Sequence, residues 1–442
     1  MIGKKVLAGI LLAVFLCLAA GIAEKKEAER VLALCGGRLI TVSGPEYEAG
    51  ILLIRGGKIA AVGKDIPLPD GVERIEISGC TVVPGFIDAF TNLGTVEIPS
   101  ASQDFDETVS PLTPQLRIID SINPANRFFS EARRSGVTAA LCAPGDGNLL
   151  TGRSALIRLS GQTVDSMIIK FPAGLHGTLG EGPKMRYGQK GIYPFTRMAE
   201  IALLRQTFLD ASQRADELKR RDKKATPAQK PKPGQESDQL VAIEPLPQDL
   251  KLDALIPALE GRVPVILAAD RLDDILSALR LADEFQLRVI LNHGVEAYKV
   301  ADRLTQRNIP VLLGPLTDTG TRLEQLGFSR ESALRLSQAG VLFAFQTGSY
   351  NRSATLRDQA GEAMAHGLPA ADALKALTLS PARIFGVEDR MGSLEAGKSA
   401  DVVVFEGHPL GRASKVRLVI IGGKIVEDMR GPGSPADKER DE

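Results

Sequence analysis

Short segments in which apolar and polar residues alternate, separated by Gly and Pro turns, occupy both ends of the chain. This period of two predicts strands over Arg38–Val42, Ile51–Arg55, Lys58–Val62 and Arg74–Ile77 near the N-terminus. Near the C-terminus it predicts strands over Ala400–Phe405, Val416–Ile421 and Lys424–Val426. We therefore predict that residues 24–83 and 388–430 form one composite β-sandwich domain.

Between these ends, apolar strand segments alternate with amphipathic helices, a pattern typical of a parallel sheet with crossover helices. One such helix carries Leu272, Ile275, Leu276 and Leu279, and Asp270 is positioned to cap it. The predicted strands number eight, as in a closed barrel: Phe86–Phe90, Val137–Cys142, Ala155–Leu159, Ile168–Phe171, Val263–Ala268, Arg288–Asn292, Pro310–Gly314 and Val341–Gln346. The stretch 153–193 is Gly-rich, so loop is an alternative there. The predicted class is α/β, a (β/α)8 barrel over residues 84–387.

Two segments fall outside this pattern. At about residues 214–248 the chain is highly charged and then Pro-rich, which predicts a helix that continues into a disordered, solvated insertion. Residues 431–442 are predicted to form a flexible tail.

The N-terminus has the features of a secretory signal. Lys4 and Lys5 precede an apolar run from Val6 to Ala20, and small residues follow at Gly21 and Ala23. A membrane anchor is the alternative, but the run is shorter than the roughly 20 residues of a membrane span. We expect cleavage after Ala23, and a secreted or periplasmic protein with no membrane contact beyond export.

The charge balance and the cysteines of the chain limit the classes of function that it could have. Lys plus Arg and Asp plus Glu both number 54, so no basic field would attract nucleic acid. The mature chain keeps Cys35, Cys80 and Cys142, an odd number without metal-ligand spacing. Buried free thiols are the favoured interpretation, although export would permit a disulfide.

Two motifs indicate a family. The stretch from Val82 to Gly94, with Pro84-Gly85-Phe86-Ile87-Asp88 at its centre, resembles the start of the first barrel strand in amidohydrolases. The stretches Leu379–Gly386 and Gly392–Val404 resemble that family's return from barrel to sandwich. Residues 179–184, 264–271 and 292–300 are similar to the imidazolonepropionase-like branch. The resemblance implies hydrolysis of non-peptide, often cyclic, carbon–nitrogen bonds by zinc or another divalent metal at the barrel mouth.

The same resemblance implies that the metal site is degenerate. Phe90 and Asn92 stand at the first-strand histidine positions, Ala268 at the fifth-strand histidine and Gly348 at the eighth-strand aspartate. His293 alone remains at a ligand position, and His176 could supply a second nitrogen. A hydrogen-bonded leftover side chain is the alternative for His293, and a solvent-facing loop residue for His176. Lys170 could be a bridging lysine or a plain surface residue.

The remaining polar residues give weaker indications. Arg153, Glu181, Lys184 and Arg186 are expected around a surviving pocket. Asp104, Asp106 and Glu107 favour a solvated rim over a replacement metal site. His366 and His408 are expected to lie away from the mouth.

Three functions stay open at this point. The first is a non-catalytic protein, with no confident cofactor, that binds a small molecule or an active amidohydrolase relative. The second is an active hydrolase with a rearranged single-metal site built on His293, His176 and Glu181. The third is an assembly role as an oligomer.

Overall fold

The structure is a computed structural model, and it describes residues 31–97, 102–225, 247–317 and 322–430. The predicted signal segment, most of the predicted insertion and the C-terminal tail lie outside these residues. The strands are β1 Val31–Ile40, β2 Glu46–Arg55, β3 Lys58–Gly63, β4 Glu73–Glu76, β5 Cys80–Pro84, β6 Phe86–Thr91, β7 Val137–Cys142, β8 Gly152–Arg158, β9 Ile168–Thr178, β10 Val265–Ala269, β11 Val289–His293, β12 Val311–Leu313, β13 Phe343–Phe345, β14 Val402–Glu406, β15 Lys415–Ile421 and β16 Lys424–Asp428.

The α-helices are α1 Phe128–Arg134, α2 Val164–Met167, α3 Glu181–Gly188, α4 Arg197–Ala225, α5 Leu250–Leu259, α6 Leu272–Phe285, α7 Ala301–Gln306, α8 Ser332–Gln338, α9 Leu356–Ala365, α10 Ala370–Leu377 and α11 Leu379–Ile384. Short 3-10 turns cover Ile118–Asp120, Ala297–Val300, Leu323–Gln325 and Ser353–Thr355. Among the described residues, no helix is long and apolar enough to cross a membrane.

Strands from both ends of the chain form one sheet, in the order β16-β15-β14-β5-β1-β2-β3, with β4 beside β1. The two ends meet where β14 runs antiparallel to β5, with Val404 opposite Val82. Alternation along these strands gives two apolar faces. Val82 and Val404 share a core with Leu52, whereas Val83 and Phe405 pack against the barrel. The sheet therefore has a core of its own and also covers one side of the barrel.

The second sheet is a nearly closed barrel in the order β6 to β13, with helices around it. Strand β13 approaches β6, and the Gly348 amide donates to the Phe90 carbonyl oxygen at 3.0 Å across that gap. The α/β class and the barrel predicted from the sequence are confirmed. Ile87, Leu141, Ile266, Ile290 and Leu312 belong to the apolar cluster that fills the interior.

One strand departs from the predicted parallel arrangement. Strand β8 runs antiparallel to both β7 and β9, while the other neighbouring pairs are parallel. Only residues 143–151 join β7 to β8, and a parallel crossover needs a dozen residues or more. The stretch 153–193 is also less of a loop than the glycines suggested, because it carries most of β8, all of β9 and helix α3.

Helix α6 begins differently from the prediction. The Leu272 amide donates to the Glu296 carboxylate at 2.7 Å, so Glu296 caps the helix from another loop. Asp270 instead accepts from the Val295 amide at 3.4 Å. This frees one Asp270 oxygen to face the barrel mouth. Cys35, Cys80 and Cys142 are buried free thiols, as predicted.

Candidate functional site at the barrel mouth

His293 ends strand β11 at the mouth, with a left-handed backbone of φ 67°. Its Nε2 lies 3.1 Å from Asp146 Oδ2, and its Nδ1 lies 3.7 Å from Asp270 Oδ2. Asp146 follows β7 and Asp270 follows β10, so the ends of three strands bring the group together. Carboxylates therefore flank the imidazole on both of its nitrogen-bearing edges.

This surrounding decides the charge on His293. Burial would lower the pKa of the imidazole, but the carboxylates of Asp146 and Asp270 outweigh burial and raise it to about 10. At neutral pH the ring is an imidazolium with a proton on each nitrogen. In this arrangement His293 is a cation held between the carboxylates of Asp146 and Asp270.

Phe90 contacts both histidines that were candidates for metal binding. Its ring is fully buried and its centroid lies 5.6 Å from that of His176 and 5.9 Å from that of His293. The ring stands at the position where the resemblance implies a histidine ligand. An ion shared by the two imidazoles would therefore have to compete with a buried aromatic side chain for space.

His176 lies in strand β9, opposite Ile266 of β10, and not in a loop as the sequence suggested. It is 2% exposed, and this burial lowers its pKa to about 4 although Asp146 acts in the opposite direction. The imidazole is therefore neutral at pH 7. Its Nε2 has no hydrogen-bond partner among the described residues, and neither has the buried side-chain amide of Asn292.

The other positions at which the resemblance implies metal ligands, Asn92, Ala268 and Gly348, make structural contacts. Asn92 donates from Nδ2 to the Ala143 carbonyl oxygen at 2.8 Å. Ala268 is 3% exposed and presents only a methyl group. Gly348, with φ 69°, donates its amide to Phe90 and so helps to close the barrel. Asn92, Ala268 and Gly348 therefore have structural roles in the barrel.

Asp88 is a buried carboxylate that the site prediction missed. It accepts hydrogen bonds from Thr347 Oγ1 at 2.5 Å, Ser353 Oγ at 2.8 Å, the Thr347 amide at 3.1 Å and the Phe90 amide at 3.4 Å. Burial raises its pKa to about 6, and the hydrogen bonds from Thr347, Ser353 and Phe90 limit the rise. We call Asp88, Thr347 and Ser353 the Asp88 hub. It ties β6 to the chain that follows β13.

Three of the polar pocket candidates form ion pairs. Glu181 accepts from Lys184 Nζ at 2.9 Å and from Arg197 Nη1 at 2.9 Å, and these cations lower its pKa. Its described charged partners do not include either histidine, so the predicted cluster of His293, His176 and Glu181 is not brought together. Arg186 pairs with Asp106 at 2.5 Å.

The remaining two candidates point away from the mouth. Arg153 donates to the Gln115 carbonyl oxygen and its guanidinium lies over the Phe171 ring. Lys170 lies near the start of β9 and donates to the Phe385 carbonyl oxygen at 2.6 Å. His293 and Ala269 end their strands at the mouth, whereas Lys170 is the third residue of β9, so the structure does not place Lys170 where it could bridge two ions at the mouth.

The residues present at the mouth do not fit the metal that the family implies. Within the described ranges, no group of three or more His, Cys, Asp or Glu side chains is arranged to hold a metal ion. A zinc centre requires three or four such ligands around one point. The two imidazoles differ in charge. His176 is neutral and packs against Phe90, whereas His293 is charged and lies between carboxylates. We therefore derive no chemical step through a metal.

Space beside His293 is also small. A pocket lined by Asp270, His293, Leu313 and Pro315 has an internal volume of about 20 Å³. A cavity needs an internal volume of roughly 10–15 Å³ to hold one water molecule. The pocket admits about one water molecule, and a substrate would require the loops around it to open.

Sequence reasoning missed Asp146 as well as the Asp88 hub. One signal was present, since acidic residues just after barrel strands lie at the functional face of such folds. Asp146 follows β7 within Pro144-Gly145-Asp146-Gly147, a stretch for which no role was predicted.

Comparison with known proteins supports the fold and identifies the family. The family model described as "Amidohydrolase family" matches residues 271–426. A crystal structure of an amidohydrolase from Thermotoga maritima MSB8 is 32% identical with a TM-score of 0.81, covering 90% of this chain and 100% of that one. An adenosine deaminase from Xanthomonas campestris with bound zinc shares the fold at 17% identity and a TM-score of 0.51, covering 93% and 96% of the two chains.

A curated relative, "Amidohydrolase tasK" of Hapsidospora irregularis, is 26% identical over 421 residues. The match covers 88% of this chain but 41% of that protein, so this chain spans about two fifths of its length. The Thermotoga protein, in contrast, is matched over its whole length at 32% identity. On this similarity, the chain belongs to the amidohydrolase family.

Proposed function

We propose that this chain is an amidohydrolase-family protein with little or no metal-dependent catalysis, which uses the fold to bind a small molecule or an active relative. The observation that carries the proposal is the contact of the buried Phe90 ring with both His176 and His293. Within the family, we place it in the imidazolonepropionase-like branch, on the motifs at 179–184, 264–271 and 292–300.

The magnitude of the metal's contribution supports this choice. In family members a divalent ion activates a water and polarises the carbonyl of a carbon–nitrogen bond, which together lower the barrier by several kcal/mol or more. Four ligand positions are altered together here, at Phe90, Asn92, Ala268 and Gly348. A neighbouring side chain can compensate for one such change, but the described residues around the mouth supply no replacement set.

An active hydrolase with a single-metal site around His293 is the second candidate. Its support is the 3.1 Å between His293 Nε2 and Asp146 Oδ2, which is also close to the separation of two ligands on one zinc ion. Such a site would need a third ligand. The neutral His176 is the available nitrogen, and the Phe90 ring packs against it. The geometry therefore favours the first function.

The test is the metal content of the mature protein purified without added metal, before and after incubation with zinc. We expect substoichiometric metal and no turnover of cyclic amides or N-acyl compounds. The triple variant F90H/N92H/A268H is the positive control, because it returns three imidazoles to the mouth and should retain one zinc per chain. One tightly held zinc in the unaltered protein, with turnover lost in His293→Ala, would establish the second function instead.

Export and assembly are further parts of the proposal. Sequencing the N-terminus of the mature protein should show that the residue after Ala23 comes first; an intact Met1 would contradict export. Light scattering of the purified protein, alone and with a co-purified relative, measures the oligomer and any partner.

A further inference from the structure

Helix α3 begins just after β9, at the mouth end of the barrel, and packs on the turn that carries Asp146. A Cβ placed at Gly182 would lie 3.1 Å from the Asp146 carbonyl oxygen, so the first turn of α3 lies close to that residue. Near the other end of the helix, the Tyr187 hydroxyl donates to Asn148 Oδ1. Helix α3 is therefore held against the turn that supplies Asp146 to His293.

Three buried carboxylates from three different elements converge on Gly180, at the start of α3. Glu200 of α4 accepts from the Gly180 amide at 3.0 Å, and Glu324 of a 3-10 turn accepts from the Glu181 amide at 2.6 Å. A Cβ at Gly180 would lie 2.5 Å from Glu324 Oε1 and 2.8 Å from Asp274 Oδ2, so these two oxygens lie close together. We call Glu200, Asp274 and Glu324 the Gly180 cluster. It connects the start of α3 to α4, α6 and the 3-10 turn.

The cations near the Gly180 cluster are bonded to other carboxylates than Glu200. Arg197 donates to both oxygens of Asp274, at 2.7 and 3.0 Å, and to Glu181 at 2.9 Å. Lys184 also pairs with Glu181. The described charged groups around Glu200 come from four elements: Glu181 and Lys184 of α3, Arg197 of α4, Asp274 of α6 and Glu324 of the 3-10 turn.

This environment favours a proton on Glu200. The side chain is 1% exposed, and burial together with the neighbouring Asp274 raises its pKa to about 7, although the Gly180 amide and the charges of Arg197 and Lys184 limit the rise. A solvated glutamate has a pKa of about 4.5 and is ionised well below neutral pH. Between these two values, each increase in pH therefore favours an arrangement in which Glu200 reaches water.

The Gly180 cluster is also linked to the wall of the pocket at His293. Arg322 and Gln325, neighbours of Glu324 in the chain, line that pocket. Glycines with a positive φ flank α3, with φ 106° at Gly180 and 67° at Gly191. Residues of this kind absorb the backbone changes of a hinge. A release of Glu200 and Glu324 would thus free α3 and one wall of the pocket together.

We propose that the Gly180 cluster is a pH-sensitive latch, which holds α3 and the turn 323–325 over the mouth in acid and releases them as the pH rises to neutral. When Glu200 loses its proton to solvent, a buried carboxylate is left beside Asp274, and their repulsion weakens the closed arrangement. The latched pocket admits about one water molecule, so release provides the opening that a ligand needs. The inference goes beyond the proposed function, because it concerns access to the mouth and is independent of metal content.

The test is amide hydrogen exchange of the full mature chain at pH 5, 6 and 7, followed by mass spectrometry and corrected for the intrinsic exchange rate at each pH. We expect the protection of the α3 amides to fall roughly 10-fold from pH 5 to pH 7, as the opening equilibrium gains population. The peptide that contains residues 323–325 should follow α3. Helix α10 is the internal reference, and its protection should stay constant.

Glu200→Gln isolates the titrating group. Glutamine keeps an oxygen that can accept from the Gly180 amide but has no proton to lose in this pH range, so α3 should be equally protected at pH 5 and pH 7. Glu217→Gln, the same change at an exposed position of α4, is the matched control and should retain the full fall. Asp274→Asn removes the repelling charge, so the fall should become smaller and end at a lower pH. Thermal melting checks that each variant folds, and Asp274→Asn decides the outcome if Glu200→Gln does not.

Constant protection of α3 in the unaltered protein would overturn the inference, and so would a fall in Glu200→Gln as large as that in Glu217→Gln. An equal fall in α10 would mean that the whole barrel loosens, which also contradicts a local latch. The zinc measurement is separate from all of these outcomes, so the latch and the proposed loss of metal chemistry can fail independently.

Discussion

The Asp88 hub and the Asp146, His293, Asp270 group lie at the same end of the barrel, yet they hold their charges in opposite ways. Asp88 is fully buried and surrounded by uncharged donors from Thr347, Ser353 and the backbone. His293 keeps 15% of its side chain exposed and is flanked by two carboxylates. The Asp88 hub joins β6 to the chain after β13, whereas the Asp146, His293, Asp270 group places charged side chains at the barrel mouth.

This difference shows that Asp88, within the amidohydrolase motif, has a structural role. Asp88 and Phe90 are two residues apart in β6, and Asp88, in the motif Pro84-Gly85-Phe86-Ile87-Asp88, accepts the hydrogen bonds of the hub. The hub joins strand β6 to the chain after β13, together with the hydrogen bonds from the Gly348 amide to Phe90 and from Thr91 Oγ1 to Ser349. A position that would only coordinate an ion can change without that structural cost.

Asp88→Ala should have the largest effect on stability. It leaves the Thr347 and Ser353 hydroxyls and two amides without their acceptor, in a region closed to water. We expect the free energy of unfolding to fall by about 3–5 kcal/mol, the cost of disrupting a buried charged network. Urea denaturation measures it, with the exposed Asp65→Ala as control. A loss no larger than that of the control would show that the hub is not what closes the barrel.

His293→Ala should destabilise the protein less and in a pH-dependent manner. Losing the imidazolium leaves the buried Asp270 and the partly exposed Asp146 without the cation between them, at a cost of about 1–3 kcal/mol. The folded-state pKa of His293 is raised to about 10, from 6.5 for a free histidine. Its stabilisation is therefore complete below pH 6.5 and is lost as the pH rises through about 10.

The measurement is the unfolding free energy of both proteins from pH 6 to 10. The difference between them should shrink as the pH increases. His366→Ala is the matched control, because His366 lies away from the mouth and bonds to the Glu362 carbonyl oxygen of its own helix. A difference that stays constant with pH would mean that His293 is neutral in the folded protein.

Asn92→Ala should have the smallest effect of the three. It removes one hydrogen bond to the Ala143 carbonyl oxygen, so we expect a loss of about 1 kcal/mol. Urea denaturation measures this loss, and elemental analysis should show an unchanged metal content. Gln189→Ala, at an exposed position, serves as the reference. A fall in bound metal would show that Asn92 is a ligand after all.

Much of the fold was accessible from the sequence because its signals are local. The period of two predicted sheet strands at Ala400–Phe405 and Ile51–Arg55, which the structure forms as Val402–Glu406 and Glu46–Arg55. Eight apolar segments predicted the barrel. The direction of β8 was not accessible in this way, because an apolar run looks the same in either direction. Only the short connection 143–151 carried that information. The predicted strand Ile168–Phe171 covers only the start of β9, which continues to Thr178, so the burial of His176 was not predicted.

The site was harder to predict because it depends on which side chains meet. Phe90 and His293 were predicted as site positions, but nothing in their spacing showed that Phe90 touches both His176 and His293. Glu181 and Lys184 were expected near a pocket, yet they are three residues apart on one helix and pair with each other. Asp146 reaches His293 only through the folded barrel.

The backbone at Gly348 limits which residues this position can accept. A side chain there would adopt a left-handed conformation, which costs roughly 1–2 kcal/mol, and its Cβ would lie 3.2 Å from Gln346 Oε1. The Gly348 amide also donates to the Phe90 carbonyl oxygen between β13 and β6. A carboxylate introduced at that point by one codon change would therefore strain the backbone where the barrel closes.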